Sequence, residues 1–154
     1  MYAAEARQLL DLIGIGPGAQ AVDVGCGVLG ILQLLCERVG PDGRVVGVNR
    51  EPRMIEAARR VTAERGLVVE LIKQDATRLS LPSDSFDLVH ERTVLLNIAE
   101  PGKVVAEMVR VARREVWSPY RNRTRRTGCA TRRIRRSARC TTGVSERSEL
   151  THAE

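Results

Sequence analysis

The stretch Ala21-Val-Asp-Val-Gly-Cys-Gly-Val-Leu-Gly30 runs a short apolar segment into three glycines. Ala21–Val24 reads as a buried strand. Val28–Val39 then places Leu29, Leu32, Leu35, Cys36 and Val39 on one face of a helix. The glycines fall at Gly25-x-Gly27-x-x-Gly30, a spacing found where a strand turns sharply into a helix. Glycine permits the turn by adopting positive φ, and it also lets a ligand lie against bare backbone near the amides that open the helix. Spacing alone leaves a plain tight turn and a nucleotide cradle both open. Asp23 adds weight to the second. A carboxylate in a buried strand has to hold the loop, or reach a ligand's ammonium group directly or through water.

Working outward, helix and strand signals alternate. Ala3–Ile13 has apolar residues at helical spacing, and Gly16-Pro-Gly18 ends it. Pro41-Asp-Gly43 is a turn before a second strand, Arg44–Val48. Pro52–Arg65 predicts a helix with Pro in its first turn and Gly66 as its stop. Val68–Lys73 and Phe86–His90 read as third and fourth strands, separated by a loop, Leu79–Ser85, that holds Pro82. Pro101–Arg113 predicts a last helix with Val104, Val105, Met108, Val109 and Ala112 facing inward. Strands spaced by helices imply an α/β fold, a parallel sheet covered on both faces.

The chain has 154 residues, enough for one domain with a real core, and 3% aromatic content leaves Leu, Val, Ile and Ala to build it. Its net charge of +6 is unevenly spread. Residues 1–112 hold 13 Lys and Arg against 15 Asp and Glu, whereas residues 113–154 hold 12 Arg against 4 Glu. The basicity therefore belongs to a tail. No stretch approaches the length of a membrane span, and no basic region followed by an apolar run opens the chain. These features predict a cytoplasmic protein without membrane attachment. Cys26, Cys36, Cys129 and Cys140 show no C-x-x-C spacing, so neither a zinc site nor a disulfide framework is indicated.

Asp75 and Ala76 follow the third strand, where a carboxylate can accept from an adenine amine and a backbone N–H can meet a ring nitrogen. With the glycine loop they complete an ordered set: V-D-V-G-C-G, V-V-G-V-N-R-E-P-R-M-I-E-A-A-R, Q-D-A-T and L-P-S-D-S-F-D-L-V-H. Residues 2–112 resemble a class I S-adenosylmethionine-dependent methyltransferase of the small-molecule type. The resemblance implies a Rossmann-like, doubly wound parallel sheet with S-adenosyl-L-methionine across the carboxyl ends of its strands. It places Gly25, Cys26, Gly27 and Gly30 along the methionine and ribose, Asp23 near the amino-acid end, and Asp75 and Ala76 at the adenine. Met54 falls where the family packs an apolar side chain on the adenine face, although a core methionine reads equally well. His90 and Glu91 end the fourth strand near the substrate, and neither is assigned catalysis. At the end of the second strand the family carries an acid that accepts from both ribose hydroxyls. This chain has Asn49, followed by Arg50. A neutral amide accepts more weakly, so cofactor binding is expected to be weaker by about 1–2 kcal/mol. The same departure weakens a nicotinamide dinucleotide reading, which also wants an acid there. The methyl acceptor implied is a small molecule. The stretch His90-Glu-Arg-Thr-Val94 lacks the Asp-Pro-Pro-Tyr-like motif of base N-methylation.

The resemblance stops after Arg113. The tail's arginines, sparse large apolar residues and lack of period predict no stable fold. Arginine runs bind phosphate, but only Trp117 and Tyr120 stand near them, so non-specific rather than specific nucleic-acid contact is expected. Read one base out of frame, the codons from Trp117 onward can encode Val-Val-Ala-Leu-Gln-Glu-Pro-Asp, which resembles the family's fifth strand. The expectation is a partial cofactor-binding domain over residues 1–113, with strands in the order 3-2-1-4, and an Arg-rich, out-of-frame tail over residues 114–154. Two classes of function stay open on the sequence. One is a methyltransferase; the other is an inactive truncated fragment or a basic-tailed nucleic-acid-binding module.

Overall fold

The computed structural model describes residues 3–114. In chain order they form α1 (Ala3–Ile13), β1 (Gln20–Val24), α2 (Leu32–Val39), β2 (Arg44–Asn49), α3 (Pro52–Glu64), β3 (Glu70–Lys73), β4 (Leu88–Glu91) and α4 (Pro101–Val111). The strands make one sheet in the order β3-β2-β1-β4, every pair parallel. This is the α/β arrangement the sequence predicts. The expectations for the basic tail fall on residues 115–154, outside the described residues.

Alternation along β1 and β2 sends side chains into two cores, as a sheet covered on both faces requires. Ala21 and Val45 join Leu10 of α1, Leu32, Leu35 and Val39 of α2, and Ile55 and Ala58 of α3 on one face. Val22, Val24, Val46 and Val48 join Leu79, Leu81, Phe86, Val104 and Val111 on the other. Phe86, the chain's only phenylalanine, is fully buried, and burying a side chain of that size contributes about 1.5–3 kcal/mol.

Four boundaries differ from the sequence reading, each for a physical reason. The expected helix from Val28 starts at Leu32. Gly27 and Gly30 adopt left-handed φ of 61° and 47°, which no α-helix accommodates. The third strand starts at Glu70, because Val68 is 91% exposed and has no ladder to join. The fourth strand pairs over Leu88–Glu91, and Phe86 instead bridges Ala112. The last helix ends at Val111, with Ala112 already extended at φ −68° and ψ 138°. Of its residues expected to face inward, Val104 is buried and Met108 packs on the core, while Val105 and Val109 are exposed. The buried stripe runs through 104, 108 and 111, the i, i+4, i+7 positions of one helix face.

Polar clamps fix the connecting segments. Arg110 donates to the carbonyls of Leu79 and Leu81 and to the Glu107 carboxylate, which also accepts the Leu79 amide at 2.7 Å. The hydrogen bond from Arg110 and its charge hold the Glu107 carboxyl below the usual range. Asp87 accepts from the Gln20 amide at 2.8 Å and pairs with Arg113, tying the start of β1 to the segment beyond α4.

Candidate functional site

Because all four strands are parallel, Val24, Asn49, Lys73 and Glu91 end on the same edge of the sheet. Two cavities open there, of about 210 and 380 Å³, and Gly25, Arg92 and Thr93 line both. The smaller is walled by Val48, Asn49 and Arg50 after β2, by Gln74, Asp75 and Ala76 after β3, and by Val94, Asn97 and Ile98 after β4. The larger is walled by Asp23, by the loop from Cys26 to Ile31, and by His90.

The glycine loop is anchored to β2. The Gly25 and Cys26 amides both donate to the Val48 carbonyl, at 2.7 and 3.0 Å. Those two amides therefore face the sheet rather than a ligand. Gly25 is demanded by contact as well as by its φ of 76°. A Cβ there would fall 2.1 Å from Cγ2 of Val94. A Cβ on Gly30 would lie 2.8 Å from the Cys26 carbonyl oxygen and 3.2 Å from Oδ2 of Asp23. The two glycines thus admit Val94 on one side and keep the Asp23 carboxylate clear on the other.

Asp23 is 4% exposed, and its Oδ1 lies 2.7 Å from Nδ1 of His90, its direct neighbour in the β1–β4 register. Cys26 is buried beside them. Burial, and then the charge of Asp23, push its thiol up to about 12, so it is neutral and no nucleophile at ordinary pH.

In the smaller cavity the acceptors are partly engaged. Asn49 Oδ1 accepts from the Glu51 amide at 3.0 Å, a turn that leads into α3. Asp75 Oδ1 accepts from the Thr77 amide at 2.8 Å and the Thr77 hydroxyl at 2.7 Å. These two bonds, with the Arg50 charge behind them, hold the Asp75 carboxyl below the usual carboxylate range.

Ten of the twelve residues singled out in the sequence thus border these cavities: Asp23, Cys26, Gly27, Gly30 and His90 the larger, Asn49, Arg50, Asp75 and Ala76 the smaller, and Gly25 both. Met54 and Glu91 border neither. Met54 is 43% exposed on α3, and so is not a core methionine either. Glu91 accepts the Val94 amide through Oε2 at 3.0 Å and shapes the turn after β4. The sequence reading passed over that turn. Arg92, Thr93, Val94, Asn97 and Ile98 form the outer wall of the site, and Thr93 takes a left-handed φ of 69°. The signal that could have found them is topological: in a parallel sheet every segment that follows a strand lies on the ligand edge.

Among the described residues no helix is long and apolar enough to cross a membrane. Residues 22–117 match the family described as methyltransferase domain. The chain is 44% identical over 85 residues to nocamycin O-methyltransferase of Saccharothrix syringae, covering 54% of this chain and 30% of that protein. It is 40% identical over 89 residues to aklanonic acid methyltransferase of a Streptomyces species, covering 57% of this chain and 40% of the relative. The crystal structure of a SAM dependent methyltransferase from Aquifex aeolicus superposes with a TM-score of 0.65 at 28% identity, over 70% of this chain and 57% of that one. The chain spans less than half the length of the two curated relatives.

Proposed function

The chain belongs to the methyltransferase domain family, and on that premise we propose that it binds S-adenosyl-L-methionine along the two cavities and serves methyl transfer to a small molecule. One observation carries the reading. Two cavities of different chemistry meet at a bare glycine, with an ionised Asp75 beyond one and a buried Asp23 beyond the other. An elongated ligand with a nucleoside at one end and an amino acid at the other suits that pair. The residues fit the group. Nothing lies within 4 Å of where a Cβ on Gly27 would stand, so the cradle is open on the larger cavity.

When bound, the sulfonium supplies an activated methyl group, which leaves the protein mainly the task of alignment. Asp75 and Ala76 hold the adenine edge, Asn49 accepts from the ribose, and Val94 packs against Gly25 as the wall between the two ends. The acceptor is proposed as a small molecule because the nocamycin and aklanonic acid enzymes carry such names. We assign the cofactor-binding part to residues 1–113 and the protein to the cytoplasm.

The chain's small share of its relatives' length favours a second reading, in which these residues hold the cofactor without turning over by themselves. Titration calorimetry with S-adenosylmethionine, S-adenosylhomocysteine and NAD tests the first claim. Binding of the first two and not of NAD is expected; binding of NAD alone overturns it.

A further inference from the structure

We propose that Asp23 and His90 together form the subsite for the α-ammonium group at the amino-acid end of the ligand, with the neutral imidazole as the binding form. The proposal rests on the cofactor reading above and deepens it.

Three observations carry it. First, β1 and β4 place Asp23 and His90 opposite one another, with Oδ1 and Nδ1 2.7 Å apart. An ionised carboxylate only accepts, so the imidazole hydrogen sits on Nδ1. Nε2 then carries a lone pair and points away from Asp23, and His90 lines the larger cavity. Second, Gly30 lies against the other carboxylate oxygen, Oδ2, with no side chain to cover it. Asp23 can therefore be approached from the glycine loop. Third, an ammonium group brings three donors and one positive charge. A carboxylate only 4% exposed gains from a cation at close range, and the imidazole nitrogen takes a further donor. Protonating His90 removes that acceptor and sets a cation against the ammonium.

Other charged groups around the pair are accounted for. The Cys26 thiol is pushed up to about 12 and stays neutral. Glu91, next to His90 on β4, directs Oε2 at the Val94 and Leu95 amides. Arg92 lines both cavities and keeps its charge at every pH used. The charged residues of α1 and α2 pair with one another at exposed positions, Arg7 with Glu37 and Arg38 with Asp11. His90 is the one histidine among the described residues.

The test is titration calorimetry on the full chain with two ligands. S-adenosylhomocysteine has the ammonium group; 5′-methylthioadenosine is the same nucleoside without the amino acid. Between about pH 8 and about pH 5, where histidine changes charge, S-adenosylhomocysteine should weaken toward a limit of about tenfold per pH unit, and methylthioadenosine should stay level. His90→Asn keeps an N–H for Asp23 and lacks Nε2. It should bind S-adenosylhomocysteine about tenfold more weakly at pH 8 and lose the pH dependence. Parallel pH profiles for the two ligands overturn the proposal, as does an unchanged profile in His90→Asn. If that variant does not fold, the two ligands on the natural chain decide. Binding of neither ligand at any pH overturns the cofactor reading, and this inference with it.

Discussion

The two cavities share three residues and treat charge in opposite ways. In the larger, a carboxylate 4% exposed depends on a histidine fixed by strand register. In the smaller, Asp75 is exposed and stays ionised through two bonds from its own neighbour, Thr77. A buried charge is coupled to the packing of the sheet, because removing its partner strands it away from water. An exposed charge in a local turn can be changed with little consequence for the fold. The larger cavity should therefore be rigid and intolerant, and the smaller one adjustable.

That contrast fixes an order of effects. The wall between the cavities should matter most. Gly25→Ala forces a Cβ into Val94 at positive φ, and it should cost about 2–4 kcal/mol and abolish cofactor binding. Urea unfolding together with calorimetry would show both losses; an unaltered midpoint would mean that the loop at Val94 gives way freely. Asp23→Ala comes next. It leaves the Nδ1 hydrogen of His90 without its acceptor, and should cost about 1–3 kcal/mol of stability as well as weakening S-adenosylhomocysteine. If Asp75→Ala proved equally destabilising in the same urea series, the contrast between the cavities would collapse.

Smaller effects belong to the smaller cavity. Asn49→Asp keeps an oxygen for the Glu51 amide and supplies a second, charged acceptor. It should tighten S-adenosylmethionine by about tenfold, read directly by calorimetry. Equal or weaker affinity would remove Asn49 from the ribose. Asp75→Asn should have the least effect on the fold. The native carboxyl is held low, so the stability it adds is present above the unfolded carboxylate range and is lost as pH falls through its folded value. Unfolding of the variant and the natural chain should therefore differ slightly at neutral pH and converge in acid.

Much of this was legible in the sequence, for reasons that can be located. The helix α3 announces itself through Pro52 and Gly66, and β1 and β2 through apolar runs that end at glycine or asparagine. The glycine spacing and Asp75 carry ligand chemistry in residue type alone. The start of α2 was hidden, since it depends on the anchoring of Gly25 and Cys26 to Val48, a bond across the sheet. So were Val94 and Asn97, which follow no motif and become a wall only when β4 lands beside β1. Val105 and Val109 illustrate the same limit. An apolar residue on a helix does not state which stripe the fold will cover.

The Asp23–His90 pair also has a place in time. Its partners are separated by 67 residues, whereas β1 meets β2 after only a short crossover. A ribosome adding about 5–20 residues per second needs several seconds to deliver His90 after Asp23. Throughout that interval the central strand of the finished sheet is an edge strand, and edges recruit other chains. The strand awaiting its partner is not uniformly apolar, however. It carries the charge of Asp23, and an inward-pointing charge is one of the features that discourage stray pairing. The carboxylate proposed to bind a ligand in the folded protein would thus protect the nascent chain first, until the strand bearing His90 arrives to take it up.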